Sequence, residues 1–444
     1  MNVSRWAFRF LLWYIVILIV QPQNRFQFLW PLHIANLSIV TAMVLHVVSV
    51  LIEKKPLVRF GFGSIMAVLL LVCGFTSLVA GPLQSSAAWN PWIDILAKNA
   101  LVMVLVEAMC TTIERVWILQ SSMLLASLWW VKGGLRLSTA GATYAGDRLM
   151  GPAVGLVENP NSFAYMMCVM IPLYLYFYQQ TKTKKLKMAF LGLALATMFI
   201  VFETGSRTGL LVLIALGIFL LPKYGAEHKV AIIAAAAALF FILPLVGAMN
   251  TERSKSIPAP IHSFFRGEVK RDVGELTQDQ QSAQERRLKN RDTWALIKEY
   301  PLFGVGISAD ESLFGAQFPM ATGQVHCEIL MAGRQMGIIG MSLYSILLIS
   351  LYRLGRRVQL FSAGWAPALS DLGWTFKLQS VVFLIGGLFS PLPWNPIELI
   401  LVGAASALWA NILELSAQVQ WPDPLGNPAP PEPSLVETPA TSAS

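Results

Sequence analysis

Four stretches of this chain, residues 8–20, 65–80, 188–202 and 210–221, are apolar almost without interruption, and Arg9 is the one charged residue among them. Hydrocarbon offers no partner to a backbone N–H or C=O, so runs of this length must close their hydrogen bonds internally, as helices. The alternation of apolar and polar residues that would signal a membrane β-barrel is absent. Charged residues make up 13% of the 444 residues and mean hydropathy is +0.58, against about 25% charged in soluble domains. The expected class is all-α: a polytopic integral membrane protein.

Runs of membrane-spanning length are expected near 6–21, 28–52, 62–80, 94–110, 114–131, 161–179, 186–203, 207–222, 229–249, 328–352, 374–391 and 396–415, about twelve spans. Arg5 and Arg9 precede the first run like a signal sequence. However, Gln21-Pro22-Gln23-Asn24-Arg25 offers no small-residue cleavage site, so the first helix is expected to stay. With the amino terminus in the cytoplasm, the inner segments hold 16 Lys and Arg and the short outer segments hold 7. The remaining 10 lie in one long outer loop that the positive-inside rule discounts. Both termini are therefore expected inside and the long loop outside.

This organisation divides the chain into five parts: 1–147, helices one to five; 148–249, helices six to nine; 250–327, the large extracytoplasmic loop; 328–418, the last three helices; and 419–444. That last stretch, rich in Pro, Ser, Ala and Thr, is expected to be a disordered cytoplasmic tail. The net charge of +8 does not indicate nucleic acid, because the basic residues collect at helix ends rather than on one soluble face. Cys73, Cys110, Cys168 and Cys327 have no paired spacing, so neither a disulfide framework nor a zinc site is expected.

Chemistry-bearing residues cluster at the expected outer rim. Residues 286–301 read as an amphipathic helix ended by Pro301, with Leu288, Ala295 and the Trp294/Ile297 pair available to pack. Arg287 and Arg291, four apart, then share a face. Two guanidinium forks on one face suit a diphosphate, and they equally suit a solvated, acid-paired surface. His326 sits where the loop re-enters the membrane and could accept a proton from a hydroxyl. Glu328 could orient it or compete with it, although an ordinary interfacial histidine would look the same. Arg207 follows Phe202-Glu203-Thr204-Gly205-Ser206 in a turn bracketed by apolar runs, where a charge is costly unless a ligand or a partner such as Glu203 holds it. Arg148-Leu149-Met150-Gly151-Pro152 and Glu158-Asn159-Pro160-Asn161-Ser162 form an outer loop in which Asn161 fits a helix cap. Nucleotide-binding loops and metal-ligand motifs are absent from the sequence, so no cofactor and no metal are expected.

Four stretches occur in a telling order: Arg148-Leu-Met-Gly with Asn159-Pro-Asn161; Gly205-Ser-Arg207; Arg291-x-x-Trp294 leading to Pro301-Leu-Phe-Gly-Val-Gly306; and His326 running on to Gly337-Ile-Ile-Gly340. Together they resemble the O-antigen ligase and polymerase superfamily of bacterial envelope glycosyltransferases, over roughly residues 148–350. Where that family usually shows His-Asn, this chain has His326-Cys327.

The resemblance implies a GT-C-like membrane glycosyltransferase in the bacterial inner membrane, with its active site facing the periplasm. Its donor would be an undecaprenyl-diphosphate-linked glycan, and its acceptor lipid A–core or another glycan. Arg207 and Arg291 would hold the diphosphate and His326 would be the base, with Arg148, Asn161, Arg287, Trp294 and Glu328 as further substrate contacts. Two arginines can balance the charge of a departing diphosphate without a metal, and attack opposite it would invert the anomeric centre. The resemblance leaves polymerase open beside ligase. A secondary transporter or glycolipid flippase is the alternative from another class, against which stands the lack of a visible internal repeat.

Overall fold

A computed structural model describes residues 3–81, 89–141, 143–144, 148–152, 156–224, 278–307, 311, 315, 317–389 and 393–418. The expected helix 229–249, residues 250–277 of the expected loop and the tail 419–444 lie outside them. The described residues are almost entirely helical. In chain order the main helices are α1 (Val3–Val20), α2 (Ile34–Glu53), α3 (Phe62–Ala80), α4 (Lys98–Met109, entered through a π-turn at Trp92–Ala97), α5 (Ile113–Thr139) and α6 (Pro160–Gln180). They continue with α7 (Lys184–Glu203), α8 (Arg207–Tyr224), α9 (Gln278–Glu299), α10 (Glu328–Ser362), α11 (Pro367–Gly386) and α12 (Pro396–Gln418). One two-residue antiparallel pair, β1 (Thr143–Tyr144) with β2 (Arg148–Leu149), closes the turn after α5.

Among the described residues, six segments are long and apolar enough to cross a membrane by length and composition: Val3–Val20, Gln27–Glu53, Phe62–Ala80, Lys184–Glu203, Glu328–Ser362 and Pro396–Ala417. The sequence led us to expect about twelve spans. Helices do occupy the other described positions, but several owe their lower hydropathy to polar residues that face other helices. In α6 nearly every side chain from Ser162 to Tyr174 is buried, four turns with no lipid-facing stripe. Gln120 and Ser127 of α5, and Thr375, Gln379 and Ser380 of α11, are likewise buried. A helix enclosed by protein can carry polar groups that neighbouring helices satisfy, as Ser127 pairs with Tyr174 of α6 and Ser380 with the Leu348 carbonyl of α10.

The peripheral helices show the opposite pattern. In α2, Leu37, Val40, Val44, Val48 and Leu51 recur at helical spacing and are all exposed, the surface a lipid environment requires.

At the centre, α6 packs against α5, α7, α8 and α11, while α10 packs against α3, α9, α11 and α12. Close approach is made by small residues. Gly355 of α10 and Gly373 of α11 face each other so closely that a Cβ on Gly355 would stand 2.7 Å from the Gly373 carbonyl oxygen. Buried Glu107 of α4 fastens three helices. Its carboxylate accepts from the Ser64 N–H and hydroxyl, each at 2.5 Å, and from the Ser406 hydroxyl. It therefore caps the amino-terminal turn of α3 from a neighbouring helix, where the helix dipole favours negative charge.

The helix ends establish two faces. Gln180 at the end of α6, Lys223 at the end of α8 and Asp371 at the start of α11 are joined, with Asp371 accepting from Gln180 at 2.9 Å and from Lys223 at 2.6 Å. At the other face, Tyr165 near the start of α6 lies against Phe383 and Gly386 near the end of α11. The Glu328 N–H that opens α10 donates to the Gly387 carbonyl at 2.8 Å. Thus α6, α8 and α10 start at one face and α11 ends there.

Candidate functional site

Every sequence-derived candidate within the helical body starts or flanks an element at that one face. Arg148 on β2 donates through Nη2 to Asn161 Oδ1 at 2.6 Å and through Nε to the Thr204 carbonyl at 3.0 Å. It therefore bridges the first turn of α6 to the turn between α7 and α8. Gly205 there has φ +57°, a left-handed conformation that glycine adopts without strain, and it leaves room for the Arg148 stem. Two residues later Arg207 opens α8 with its side chain exposed. Lys223 is at the opposite end of that helix, about 24 Å away at 1.5 Å per residue.

The expected cap at Asn161 is corrected: Asn159 caps α6, its Oδ1 accepting from the Ser162 N–H at 2.9 Å, with Pro160 in the first helical position. The cap position lies one residue before the proline, which frees Asn161 to hold Arg148. Glu203, the expected structural partner of Arg207, accepts from Ser138 at 3.3 Å.

A second set of contacts forms around α9. Thr293, Leu296 and Ile297 are buried, while Arg287, Arg291, Trp294 and Lys298 are exposed at intervals of three and four. Leu296 makes a small core with Val305 and Ala321, flanked by Tyr300 and Phe318. The face presented outward is therefore basic and aromatic, with Lys298 5.8 Å from the Trp294 ring centroid. Arg291 pairs with Asp292 at 3.0 Å while 71% exposed. Asp292 is only 13% exposed and also accepts from the Met320 N–H at 3.4 Å, so the carboxylate is held in place while the Arg291 guanidinium stays open to solvent and to anions.

His326 lies half-buried beside this helix. Burial, with the positive charges of Arg286 and Lys289, pushes its pKa down to about 4, against a smaller opposing effect of Glu285. The ring is neutral at neutral pH, the form a base needs, and its Nδ1 is buried without a hydrogen-bond partner among the described residues. Glu328, two residues on, does not share that environment. It is fully buried as the first residue of α10 and accepts from the Tyr344 hydroxyl at 2.8 Å.

The segment that carries His326 is fixed from below by Arg334. This buried guanidinium donates to the Ala321 carbonyl at 2.5 Å and the Gly323 carbonyl at 2.9 Å. It also lies 3.5 Å from Glu311, which itself accepts from the Gly323 N–H at 2.7 Å.

Just beyond Arg334 the helix is interrupted: Met336 and Gly337 leave helical geometry, Gly337 at φ +67°. The groups released by the break are taken up by the Pro301-Leu-Phe-Gly-Val-Gly306 segment. Val305 N–H donates to the Arg334 carbonyl at 2.8 Å, Gly306 N–H to the Gln335 carbonyl at 3.1 Å, and Ile338 N–H to the Pro301 carbonyl at 2.7 Å. Ser77 of α3 completes the set by donating to the Gln335 carbonyl at 2.6 Å. Irregular backbone at such a depth is tolerable only where protein satisfies it, as here. The glycine-rich motif is thus the plug of a broken helix.

Arg334, Glu107 and Glu398 are not among the sequence-derived candidates. Each stands inside or against an apolar run, the same signal that singled out Arg207. Arg334→Gln should loosen residues 317–327, seen as faster limited proteolysis there with global melting little changed. Misplacing a reacting group by about 1 Å can cost roughly 10²-fold in rate, and the variant should lose activity on that scale. Unaltered cleavage in that segment would contradict the role.

Residues 191–345 match the family model described as O-Antigen ligase, and residues 2–183 match a family of unknown function. No curated protein matches the chain. The O-antigen ligase segment contains Arg207, Arg287, Arg291, Trp294, His326, Glu328 and the whole helix break, while Arg148 and Asn161 lie in the other. Its apolar helices together with this match point to a multi-pass membrane protein whose residues 191–345 are similar to the O-antigen ligase family.

Proposed function

We propose that this protein transfers a glycan from undecaprenyl diphosphate to an acceptor hydroxyl, with lipid A–core as the acceptor, at the periplasmic face of the bacterial inner membrane. The observation that supports this reading is that Arg148, Asn161, Arg207 and His326 lie at the same face of the helical body, with His326 beside α9. A diphosphate needs charge-assisted donors in a fixed geometry, and exposed Arg207, Arg287 and Arg291 supply guanidinium forks. Arg148, tied to Asn161 and to the turn before Arg207, positions that turn. The diphosphate leaves as the acceptor oxygen attacks from the opposite side, inverting the anomeric carbon. Neutral His326 takes the acceptor proton as its oxygen becomes nucleophilic, and the arginines stabilise the charge accumulating on the leaving group. Trp294 offers a flat apolar surface to the sugar. On this reading both termini are cytoplasmic and Lys223, Asp371 and Gln180 mark the inner face.

Purified protein given a lipid-linked donor together with lipid A–core should yield glycan joined to the core. Growth of the lipid-linked chain alone would favour a polymerase, and neither product would sink the proposal. The broken helix α10 bears on the transporter alternative, since such breaks often bind substrate in transporters. Here its freed groups are occupied by residues 301–306 and Ser77, which supports a structural role for the break.

The acidic limb of the pH–rate profile should fall near 4 rather than near the 6.5 of a free histidine, because protonating His326 removes the base. Lys289→Gln should move that limb upward. The same group makes folding pH-dependent: between about 6.5 and 4 the unfolded chain binds the proton more readily, so stability falls as pH drops through that window. An acidic limb near 6.5 unmoved by Lys289→Gln would show that another group titrates.

A further inference from the structure

Beneath the rim, α6, α10 and α12 enclose a polar cluster. Glu328 and Glu398 are both fully buried, and their carboxylates converge on a single phenol: Tyr344 Oη lies 2.8 Å from Glu328 Oε2 and 3.0 Å from Glu398 Oε2. A phenol has one proton to donate. It can donate to one carboxylate, and at 3.0 Å the second contact is a hydrogen bond only if the second carboxyl itself carries a proton and donates to the phenol oxygen.

Two further groups point the same way. Glu398 Oε1 is buried with no partner among the described residues, a costly position for half of a carboxylate and a tolerable one for a neutral acid. Tyr165 of α6, fully buried and within the electrostatic reach of both carboxyls, also has a hydroxyl with no hydrogen-bond partner among the described residues. Among the described residues, the ionisable side chains facing the pair are Tyr165 from α6 and Tyr344 from α10. The elements packed behind them contribute Trp394, edge-on to Tyr344 at 4.9 Å, and the Gly387 carbonyl.

We propose that Glu398 is a proton-binding site: it holds one proton at neutral pH and donates it to Tyr344, which in turn donates to Glu328. The proton is the ligand, and the hydrogen-bonded row it completes ties the start of α10, immediately after His326, to α12. Removing it would set two carboxylates against one donor and separate the two helices at this point. This inference does not depend on the glycan-transfer reading.

Infrared spectroscopy of the full-length protein in detergent or nanodiscs tests it. The wild type should show, at neutral pH, the C=O stretch of a protonated carboxyl that shifts on transfer to heavy water. Glu398→Gln should abolish that band, while Glu328→Gln and Tyr344→Phe should shift it without removing it. Because glutamine mimics a neutral acid in size and donor capacity, Glu398→Gln should also melt within a few degrees of the wild type. Absence of the band in wild type, its survival in Glu398→Gln, or a Glu398→Gln protein that fails to fold would overturn the proposal, the last because a required carboxylate would then have been lost. A band that disappears when sodium replaces a bulky organic cation would overturn it as well, by identifying a metal cation as the ligand.

Discussion

Replacing His326 with alanine should slow glycan transfer roughly 10²–10⁴-fold, the usual worth of a positioned general base, with the yield of folded protein unchanged. The second half of this expectation follows from the structure around the ring. His326 is half-buried, its Nδ1 bonds to nothing among the described residues, and the loop beneath it is held by Arg334 rather than by the imidazole. Its removal therefore leaves little behind that needs repair. Arg207→Ala should slow transfer by about 10²–10³-fold, the cost of removing one donor aimed at a developing charge, and Arg207→Lys should recover only part, because an ammonium cannot bind two phosphate oxygens as a planar fork. The measurement is transfer in vitro from purified lipid-linked donor, with protein amount and melting checked in parallel. Wild-type rates in both His326→Ala and Arg207→Ala would remove the site assignment while leaving the family match of residues 191–345 untouched.

The second large effect is on stability. Gly304 and Gly337 both adopt left-handed backbone, φ +64° and +67°, and they face each other across the helix break. A Cβ at Gly304 would stand 2.6 Å from the Gly337 nitrogen and 2.7 Å from the Met336 nitrogen. One at Gly337 would stand 2.5 Å from the Pro301 carbonyl oxygen. These are backbone atoms at the break, and the Pro301 carbonyl accepts one of the bonds that seal it, so they cannot retreat as a flexible side chain would. Left-handed strain alone costs about 1–2 kcal/mol for a residue with a Cβ, and the collision adds to it. Gly304→Ala and Gly337→Ala should each lose well over 2 kcal/mol, roughly the scale at which single changes deplete folded protein. Gly141 supplies the control: φ is +64° but nothing lies within 4 Å of its Cβ position, so Gly141→Ala should show the strain alone. Equal melting of the three variants would mean that the two segments are not packed as described.

What could be read in advance followed the strength of the physical constraint. Hydrocarbon permits one secondary structure in a long apolar run, so described helices stand at eleven of the twelve expected positions, but only six of them are long and apolar enough to cross a membrane, and the twelfth position lies outside the described residues. The amphipathic helix ending before Pro301 was legible for a similar reason: alternating burial at three and four residues placed Arg287 and Arg291 on the open face, as their spacing requires. Trp294 was assigned to the packed side with Ile297 but is half exposed, because a residue three from a buried one lies near the boundary of the buried stripe.

The contacts that depend on tertiary assembly were not legible. Nothing local distinguishes Asn161 as a partner for Arg148 from Asn161 as a cap. Nor does spacing reveal that Glu328 turns inward to Tyr344 while His326, two positions earlier, stays at the rim. The helix begins between them at Cys327, and that junction reverses the direction of the side chains.

The sealed interruption in α10 also constrains how this protein can be recombined with relatives. Residues 301–306 supply the hydrogen bonds that α10 cannot make for itself between Arg334 and Ile338. A chimera that exchanges the extramembrane segment up to His326 therefore also exchanges the piece that keeps a buried helix closed. A folded chimera therefore requires that both halves of that joint travel together.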